Sequence, residues 1–356
     1  MADVSCGVAG TEVYKTAVAL IDAGRAFALA VVLNAEGSTP ARAGGKAIIE
    51  PDGRIHGTIG GGQVEAAVQQ HAIEACRSGT ACLFDFAFAG ADASTDLPVC
   101  GGRMRILIEP NVTAGANAWR AAVESLRSRR RGVLLTRVTS GEQPHAEYEW
   151  LEDTARPPGP LGEQVDACIC KESTVYLADT GQGAELIEPV IPPPTLIIAG
   201  GGHIGQALAI QAQLVGFDIT VIDDRSEFTD PARFPAGVRT ICGDIADLLA
   251  RAQIGPDTYI VIVTRGHRHD AEALKACIHC PSGYVGMIGS KRKVAVLRAD
   301  FIKAGIAAEA FDRVFAPIGL DIGAVTVPEI AAAIVAQLIA VRRRGRDAAG
   351  RIGGGS

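Results

Sequence analysis

The chain predicts an α/β protein of two domains, a doubly wound parallel sheet in the C-terminal half and a mixed α+β domain ahead of it. Three observations carry this. Beyond residue 195, short apolar runs of strand length alternate with helical segments, the pattern of βαβ units in a parallel sheet covered on both faces. The 42 glycines cluster at Gly57, Gly60, Gly61 and Gly62 and again at Gly200, Gly201, Gly202 and Gly205. Pro189, Pro192, Pro193 and Pro194 form a stiff, extended joint just before the second cluster, where a domain boundary is expected. The expected division is a first domain over residues 1–190, a second over 191–345 and a flexible tail over 346–356.

In the first domain, strands are expected at residues 28–33, 46–50, 82–88, 133–138 and 174–178. The strand over 103–108 is the best marked, because Met104, Ile106 and Ile108 recur at every second position, the signature of a half-buried strand. Residues 63–76 and 116–128 read as amphipathic helices. Arg156, Pro157, Pro158, Gly159 and Pro160 read as a surface loop. In the second domain the expected strands are 195–199, 219–222, 259–264, 284–288 and 313–316. The last helix carries its own start signal, since Thr326 and Glu329 have the Thr-x-x-Glu spacing of a capping box.

Composition narrows the function classes. Apolar residues at 48% and charged residues at 21% are ordinary for a globular protein and exclude a disordered or fibrous chain. A net charge of −6 argues against a nucleic-acid binder that works by neutralising phosphates. The longest apolar helical run, residues 330–341, falls short of the about 20 residues that a bilayer requires, and it contains Gln337. Asp3 and Glu12 without a basic segment argue against a secretory signal. Nine cysteines, an odd count over a long chain, fit a reducing cytoplasm rather than a disulfide scaffold. The expectation is a soluble cytoplasmic protein with no nucleic-acid and no membrane partner.

Gly200, Gly202 and Gly205 satisfy G-x-G-x-x-G between an expected strand and an expected helix, with His203 inside the motif. Glycine is needed there for a tight turn and for a pyrophosphate to reach the helix N-terminus. Asp223, about 20 residues on at the end of the next strand, stands where a carboxylate accepts from ribose hydroxyls. This makes the domain Rossmann-like, with close strand–helix packing as the alternative role for the glycines. The loop Gly60, Gly61 and Gly62, followed by Gln63 and Glu65, offers backbone N–H groups to an anion, or serves as a flexible turn.

Cys100, followed by Gly101, Gly102 and Arg103, is a thiol with an open face and a guanidinium that favours thiolate, hence a soft-metal ligand. The alternative is a cysteine acting as a small buried hydrophobe. Cys277 and Cys280 have half the spacing of a zinc site, but their only complement, Cys168 and Cys170, is atypically spaced, which reads against zinc. Arg265 and His267, beyond a strand's carboxyl end, are placed to give donors to phosphate or pterin, or lie in a solvated loop. Lys291, Arg292 and Lys293 oppose a helix dipole, which makes sense opposite a bound phosphate; for Lys293 a solvated charge run is the favoured reading.

Taken together these residues resemble the xanthine dehydrogenase accessory protein family (XdhC/CoxI). The resemblance runs through GSTPARAGGKAIIEPDGRIHGTIGGGQVE (37–65), CGGRMRILIEP (100–110), LIIAGGGHIGQALA (196–209), GMIGSKRK (286–293) and APIGLDIGAVTVPEIA (316–331). It covers most of the chain in the family's order, while residues 111–188 carry little of it. It implies a non-enzymatic chaperone that binds the molybdenum cofactor, molybdopterin or its cytosine dinucleotide form. The implied chaperone protects the cofactor while a partner cysteine desulfurase exchanges an oxo ligand for sulfide, and assists insertion into a molybdenum hydroxylase client. It also implies a homodimer.

By motif match Cys100 is the thiol nearest molybdenum and the only metal ligand, and Gly60–Gly62 line the cofactor. Gly200–Gly205 hold a phosphate or dinucleotide tail, with Lys291 assisting, in a cleft between the domains. Gln63 stands where some members have cysteine, which tells against a two-thiolate site. Two further classes compete. An NAD(P)-dependent oxidoreductase would use His203, His267 or His269 as acid or base, but a histidine inside a glycine loop abuts phosphates rather than a nicotinamide. A nucleotide-sensing regulator would leave Cys100 and the first loop without a role.

Overall fold

The computed structural model describes residues 9–88, 101–139, 141, 143–155, 157–178 and 183–346, with the side chains of residues 9, 10 and 267 left aside. The chain divides into two units at Pro192 and Pro193.

The first unit opens with α1 (Ala9–Asp22), then β1 (Ala28–Glu36), β2 (Lys46–Ile49), β3 (Ile55–Thr58), α2 (Gly62–Ser78), β4 (Cys82–Ala87) and β5 (Arg103–Glu109). It continues with α3 (Ala116–Arg127), β6 (Gly132–Thr139), β7 (His145–Glu152), α4 (Pro160–Lys171), β8 (Val175–Leu177) and β9 (Ala184–Val190). The strands form two antiparallel sheets, β3-β2-β1-β5-β4 and β7-β6-β9-β8.

The alternation read in β5 is real: Met104, Ile106 and Ile108 pack with Ala28, Ala30 and Val32 of β1 under α2. The other face of β1, Leu29, Val31 and Leu33, joins Leu107 in the core shared with α1, α3 and the second sheet. Strand β1 is therefore covered on both sides, which is why its run from Ala28 to Leu33 has no polar residue. The second sheet turns Leu134, Val138 and Leu186 toward that shared core, and Val133, Leu135 and Ile187 toward α4.

A buried ion pair crosses the shared core. Lys46 of β2 pairs with Glu188 of β9, both side chains about 5% exposed, and its ammonium also donates to the Tyr14 hydroxyl at 3.0 Å. Burial works against the Lys46 charge, but Glu188 beside it outweighs this and holds its pKa up. Burial pushes the Glu188 carboxyl up and Tyr14 up to about 12.

The second unit contains β10 (Thr195–Ala199), α5 (His203–Leu214), β11 (Asp218–Asp223), β12 (Arg239–Cys242), α6 (Ile245–Arg251) and β13 (Thr258–Ile262). It closes with α7 (His267–Cys277), β14 (Tyr284–Met287), α8 (Lys291–Lys303), α9 (Ala308–Asp312) and α10 (Val327–Arg344). All its strands are parallel, in the order β12-β11-β10-β13-β14. Leu196 and Ile198 face α5 and α10, whereas Ile197 and Ala199 face α6, α7 and α8. This is the doubly wound α/β class that the sequence predicts.

The capping box of the last helix is present, with Thr326 and Glu329 exchanging bonds across the first turn. Gln337, the polar residue of the apolar run, is buried and accepts from Tyr284 at 2.6 Å and from the Gly319 amide at 2.9 Å. Among the described residues no helix is long and apolar enough to cross a membrane.

Several sequence expectations are corrected. Residues 313–316 are not a strand: Phe315 alone bridges to Gly286, because the chain leaves α9 only at Arg313 and turns away again at once. The proline-rich stretch 157–160 is a loop only up to Gly159. Pro160 opens α4, where its missing N–H costs nothing. Pro189 lies inside β9, beyond the reach of β8, which pairs only Glu185–Ile187, so the edge there needs no donor.

Candidate functional site

Strands β1 and β3 end, and β2 and β5 begin, at the same end of the first sheet, so their loops meet. A Cβ placed on Gly60 would lie 2.8 Å from Pro40. One on Gly102 would lie 2.3 Å from the Ser38 carbonyl, and one on Gly37 would lie 3.1 Å from the Gly101 carbonyl. Three glycine-bearing loops are thus packed so closely that Gly60 and Gly102 leave no room for a side chain of their own.

Within this end, Thr58 accepts from the Gly60 amide at 3.2 Å and donates to Glu65 at 2.9 Å, fixing the loop to the first turn of α2. Gly60, Gly61 and Gly62 hold φ of 114°, 74° and 64°. Around Gly61 and Gly62 a Cβ would meet nothing within 4 Å, and no side chain caps the start of α2. Arg42, Arg103 and Gln63 are exposed. Open amides at a helix start can receive an anionic, hydrogen-bond-accepting ligand. Cys100, which immediately precedes Gly101 in the chain, lies outside the described residues.

In the second unit the chain leaves β10 through α5 toward β11, and leaves β13 through α7 toward β14, on the opposite side. The crevice between these departures is the switch point where ligands of open α/β sheets bind. Three glycines of the loop are required by packing: a Cβ on Gly200, Gly201 or Gly205 would lie 2.4, 2.2 or 1.9 Å from the carbonyls of Val263, Phe228 and Gly200. Gly202, the residue before α5, faces open space. His203 follows it, exposed. Neither Gly202 nor Gly266, ahead of α7, supplies a side-chain cap.

Asp223 is placed at the end of β11 as expected but is 1% exposed. One carboxylate oxygen accepts from the Gly201 amide at 2.8 Å and from Arg225 Nη2 at 3.1 Å. The other accepts from the Arg225 amide at 3.1 Å and from its Nε at 2.9 Å. Four donors fill its four lone-pair positions. Burial raises the Asp223 carboxyl, but the Arg225 guanidinium and the Gly201 amide outweigh it and hold its pKa below the usual range. Asp223 therefore ties down the glycine loop, and the ribose contact expected of it has no free acceptor.

Arg265 is half-exposed and donates to Asp224 at 2.7 Å. Lys293 is corrected too: it is not part of a solvated run but pairs with the fully buried Asp270, which also accepts from Thr264. The sequence hid this because 23 residues separate the partners. Lys291 stays exposed at the start of α8, beside the capping Ser290. The side chain of His267 is not described.

Sequence reasoning missed Arg225 and Phe228, although an arginine directly after two acids at a strand end was a readable signal. Cys168 and Cys277 lie in different units, each thiol bonded to a carbonyl and pushed by burial up to about 12. Both are inert thiols.

Comparison with known proteins adds the following. Residues 196–338 match the model of the XdhC Rossmann domain, and residues 20–87 match that of the XdhC and CoxI family. The chain is 27% identical over 335 residues to the YqeB protein of Escherichia coli (strain K12), covering 93% of this chain and 46% of that one. It thus spans about half the length of that relative. It is 26% identical over 333 residues to a probable xanthine dehydrogenase subunit of Bacillus subtilis (strain 168), covering 92% and 96% of the two chains. It is 22% identical over 331 residues to the molybdenum cofactor insertion chaperone PaoD of Escherichia coli (strain K12), covering 93% and 88%. The fold is similar to a crystal structure described as a xanthine dehydrogenase from Bacillus halodurans, with a TM-score of 0.76, 23% identity and 96% and 97% of the chains covered.

Proposed function

Because the chain belongs to the XdhC and CoxI family, we propose that it is a maturation factor rather than an enzyme. In this reading it is a chaperone that binds the molybdenum cofactor, protects it during sulfuration and assists its insertion into a molybdenum hydroxylase of the xanthine dehydrogenase type. The observation that carries this reading is the stack of three glycine loops at the end of the first sheet, directly beside Cys100 in the chain.

The residues present suit such a cofactor. The open backbone at Gly61 and Gly62 and the exposed Arg103 offer donors to its oxygen-rich, anionic parts, while Cys100 offers a soft thiolate to a metal. Once bound, the cofactor supplies the molybdenum centre on which the client's hydroxylation chemistry depends. Thr58 and Glu65 keep the loop in shape, and Gly102 lets the start of β5 pass close to Ser38. The Rossmann unit, through Gly200, Gly202, Gly205, Arg265, His267 and Lys291, takes a phosphate-bearing ligand in this reading. A cysteine desulfurase as sulfur donor, the cytosine dinucleotide form of the cofactor, a homodimer and a cytoplasmic location belong to the same proposal.

The test is the metal and pterin content of protein purified without oxygen from a molybdenum-replete host, as wild type and as Cys100→Ala. Near-stoichiometric molybdenum with pterin in the wild type, reduced in the variant, is expected. Neither species in either form, even after incubation with free cofactor, would overturn the proposal.

A further inference from the structure

We infer that a cavity between the two sheets of the first unit seats a planar heteroaromatic lactam, the 2-amino-4-oxopyrimidine ring that a pterin shares with guanine, and that the ring taken here is a pterin's. The inference rests on the cofactor-binding reading and deepens it, by assigning what holds the ring rather than the metal or the phosphate.

Leu33, Leu83, Val138 and Ala184 wall a cavity of about 170 Å³. That is the space one six-membered ring needs, since an apolar cavity of about 150 Å³ holds benzene. A bicycle enters by one ring and keeps the other at the mouth. The position of the cavity follows from the strands. Leu33 stands near the end of β1 and Arg105, which also lines the cavity, near the start of β5. This is the end of the first sheet at which the glycine loops meet. Val138 and Ala184 stand near the end of β6 and the start of β9 in the facing sheet.

The remaining lining supplies recognition. Tyr176 of β8, half-buried, offers an aromatic ring to a flat ligand. Arg105 shares a face of β5 with Leu107, the face turned to the second sheet. Asp85 of β4 lies directly opposite Arg105 in register, with a carboxylate oxygen 3.9 Å from its Nε. That separation is too long for a hydrogen bond. Among the described residues neither side chain makes one elsewhere, so the guanidinium and the carboxylate both keep their capacity. A donor set beside an acceptor complements a lactam edge, whose carbonyl accepts and whose N–H donates. A bare phosphate is repelled by Asp85 as it is drawn by Arg105, and adenine has no lactam to offer. From Arg105 the chain runs back through Arg103 to Cys100, a soft-metal ligand that a metal-bearing pterin uses and a guanine nucleotide does not.

The test titrates the purified full-length chain into 6-hydroxymethylpterin and follows the pterin's own fluorescence, with 5′-GMP and 5′-AMP as competitors. A Kd below about 1 mM is expected, with 5′-GMP competing at least about tenfold more weakly and 5′-AMP not at all. Arg105→Ala, at a half-exposed position, removes the donor. Ala178→Leu fills the cavity from an exposed position on its lining. Each is expected to weaken the pterin at least about tenfold, the scale of one charge-assisted contact, while the thermal transition followed by tryptophan fluorescence stays in place. No binding to the wild type, binding that neither variant weakens, or tighter binding of either nucleotide overturns the inference. Molybdenum content of the same proteins separates its failure from that of the chaperone reading. A wild type that carries molybdenum, with both variants carrying as much, leaves the chaperone and removes the seat. A wild type without molybdenum that still binds free pterin does the reverse.

Discussion

The two glycine loops read alike in the sequence but are glycine-rich for different reasons. In the second unit, Gly200, Gly201 and Gly205 are dictated by crowding, each facing a carbonyl that a methyl group would strike. The loop is then anchored through one side chain, Asp223. Of Gly60, Gly61 and Gly62 in the first unit, only Gly60 is crowded; Gly61 and Gly62 have empty space around them and are dictated by positive φ. There the anchor is the lighter Thr58–Glu65 contact. A packed loop holds its shape against any ligand, whereas a loop held by backbone torsions alone can yield. The comparison assigns rigidity to the nucleotide-type loop and adaptability to the Gly60–Gly62 loop.

Both tryptophans, Trp119 and Trp150, lie in the first unit, so tryptophan fluorescence reports that unit and circular dichroism reports both. Gly205→Ala is expected to have the largest effect, about 3 kcal/mol, because the 1.9 Å approach to the Gly200 carbonyl cannot relax without separating α5 from β10. The loss should appear in the dichroism transition and not in the fluorescence transition; an equal shift in both breaks the comparison by making the two units one cooperative body.

Asp223→Asn comes next, at about 2 kcal/mol, the range for hydrogen bonds to a charged group. Its pH dependence sharpens the assignment. The folded carboxyl is depressed, so its contribution is full at neutral pH and is lost as pH falls through the folded value. The difference between wild type and variant should therefore be flat down to about pH 5 and shrink below about pH 4. A difference that grows on acidification contradicts the four-donor arrangement.

Gly61→Ala is expected to cost about 1 kcal/mol, all of it backbone strain at φ 74° and ψ −179°, and this time visible in tryptophan fluorescence. Glu65→Gln is the smallest, about 0.5 kcal/mol, since one exposed hydroxyl contact is weakened. If Gly61→Ala costs more than Gly205→Ala in denaturant titrations, crowding and torsion have been assigned to the wrong loops.

What the sequence disclosed depended on how local the cause was. The β5 alternation and the capping box are written within a few residues and are found where they were expected, and the βαβ rhythm holds for four of the five expected strands, with 313–316 the exception and β12 unforeseen. Strands β3 and β7 escaped notice because both carry polar residues on exposed faces, and β3 is four residues long. Arg103, Gly60 and the Gly200 motif were singled out from type and spacing. Their meeting partners, Ser38 and Pro40 in one unit and Arg225 and Phe228 in the other, were not, because close approach is a property of the folded backbone. Asp223 shows the limit most clearly. Its position was legible, and its role changed once Arg225, two residues away, folded back upon it.

The Lys46–Glu188 pair reaches beyond this one molecule, to how its sequence can drift. The partners sit 142 positions apart, and each is buried against the other. Losing either alone strands a charge in the interior at a cost of about 3–5 kcal/mol, a large part of what holds a domain folded. Exchange of both for apolar residues avoids that loss. The two positions should therefore be inherited as a unit: a relative that has lost the lysine at 46 should have no acid at 188 either, and an intermediate with only one of them should be rare.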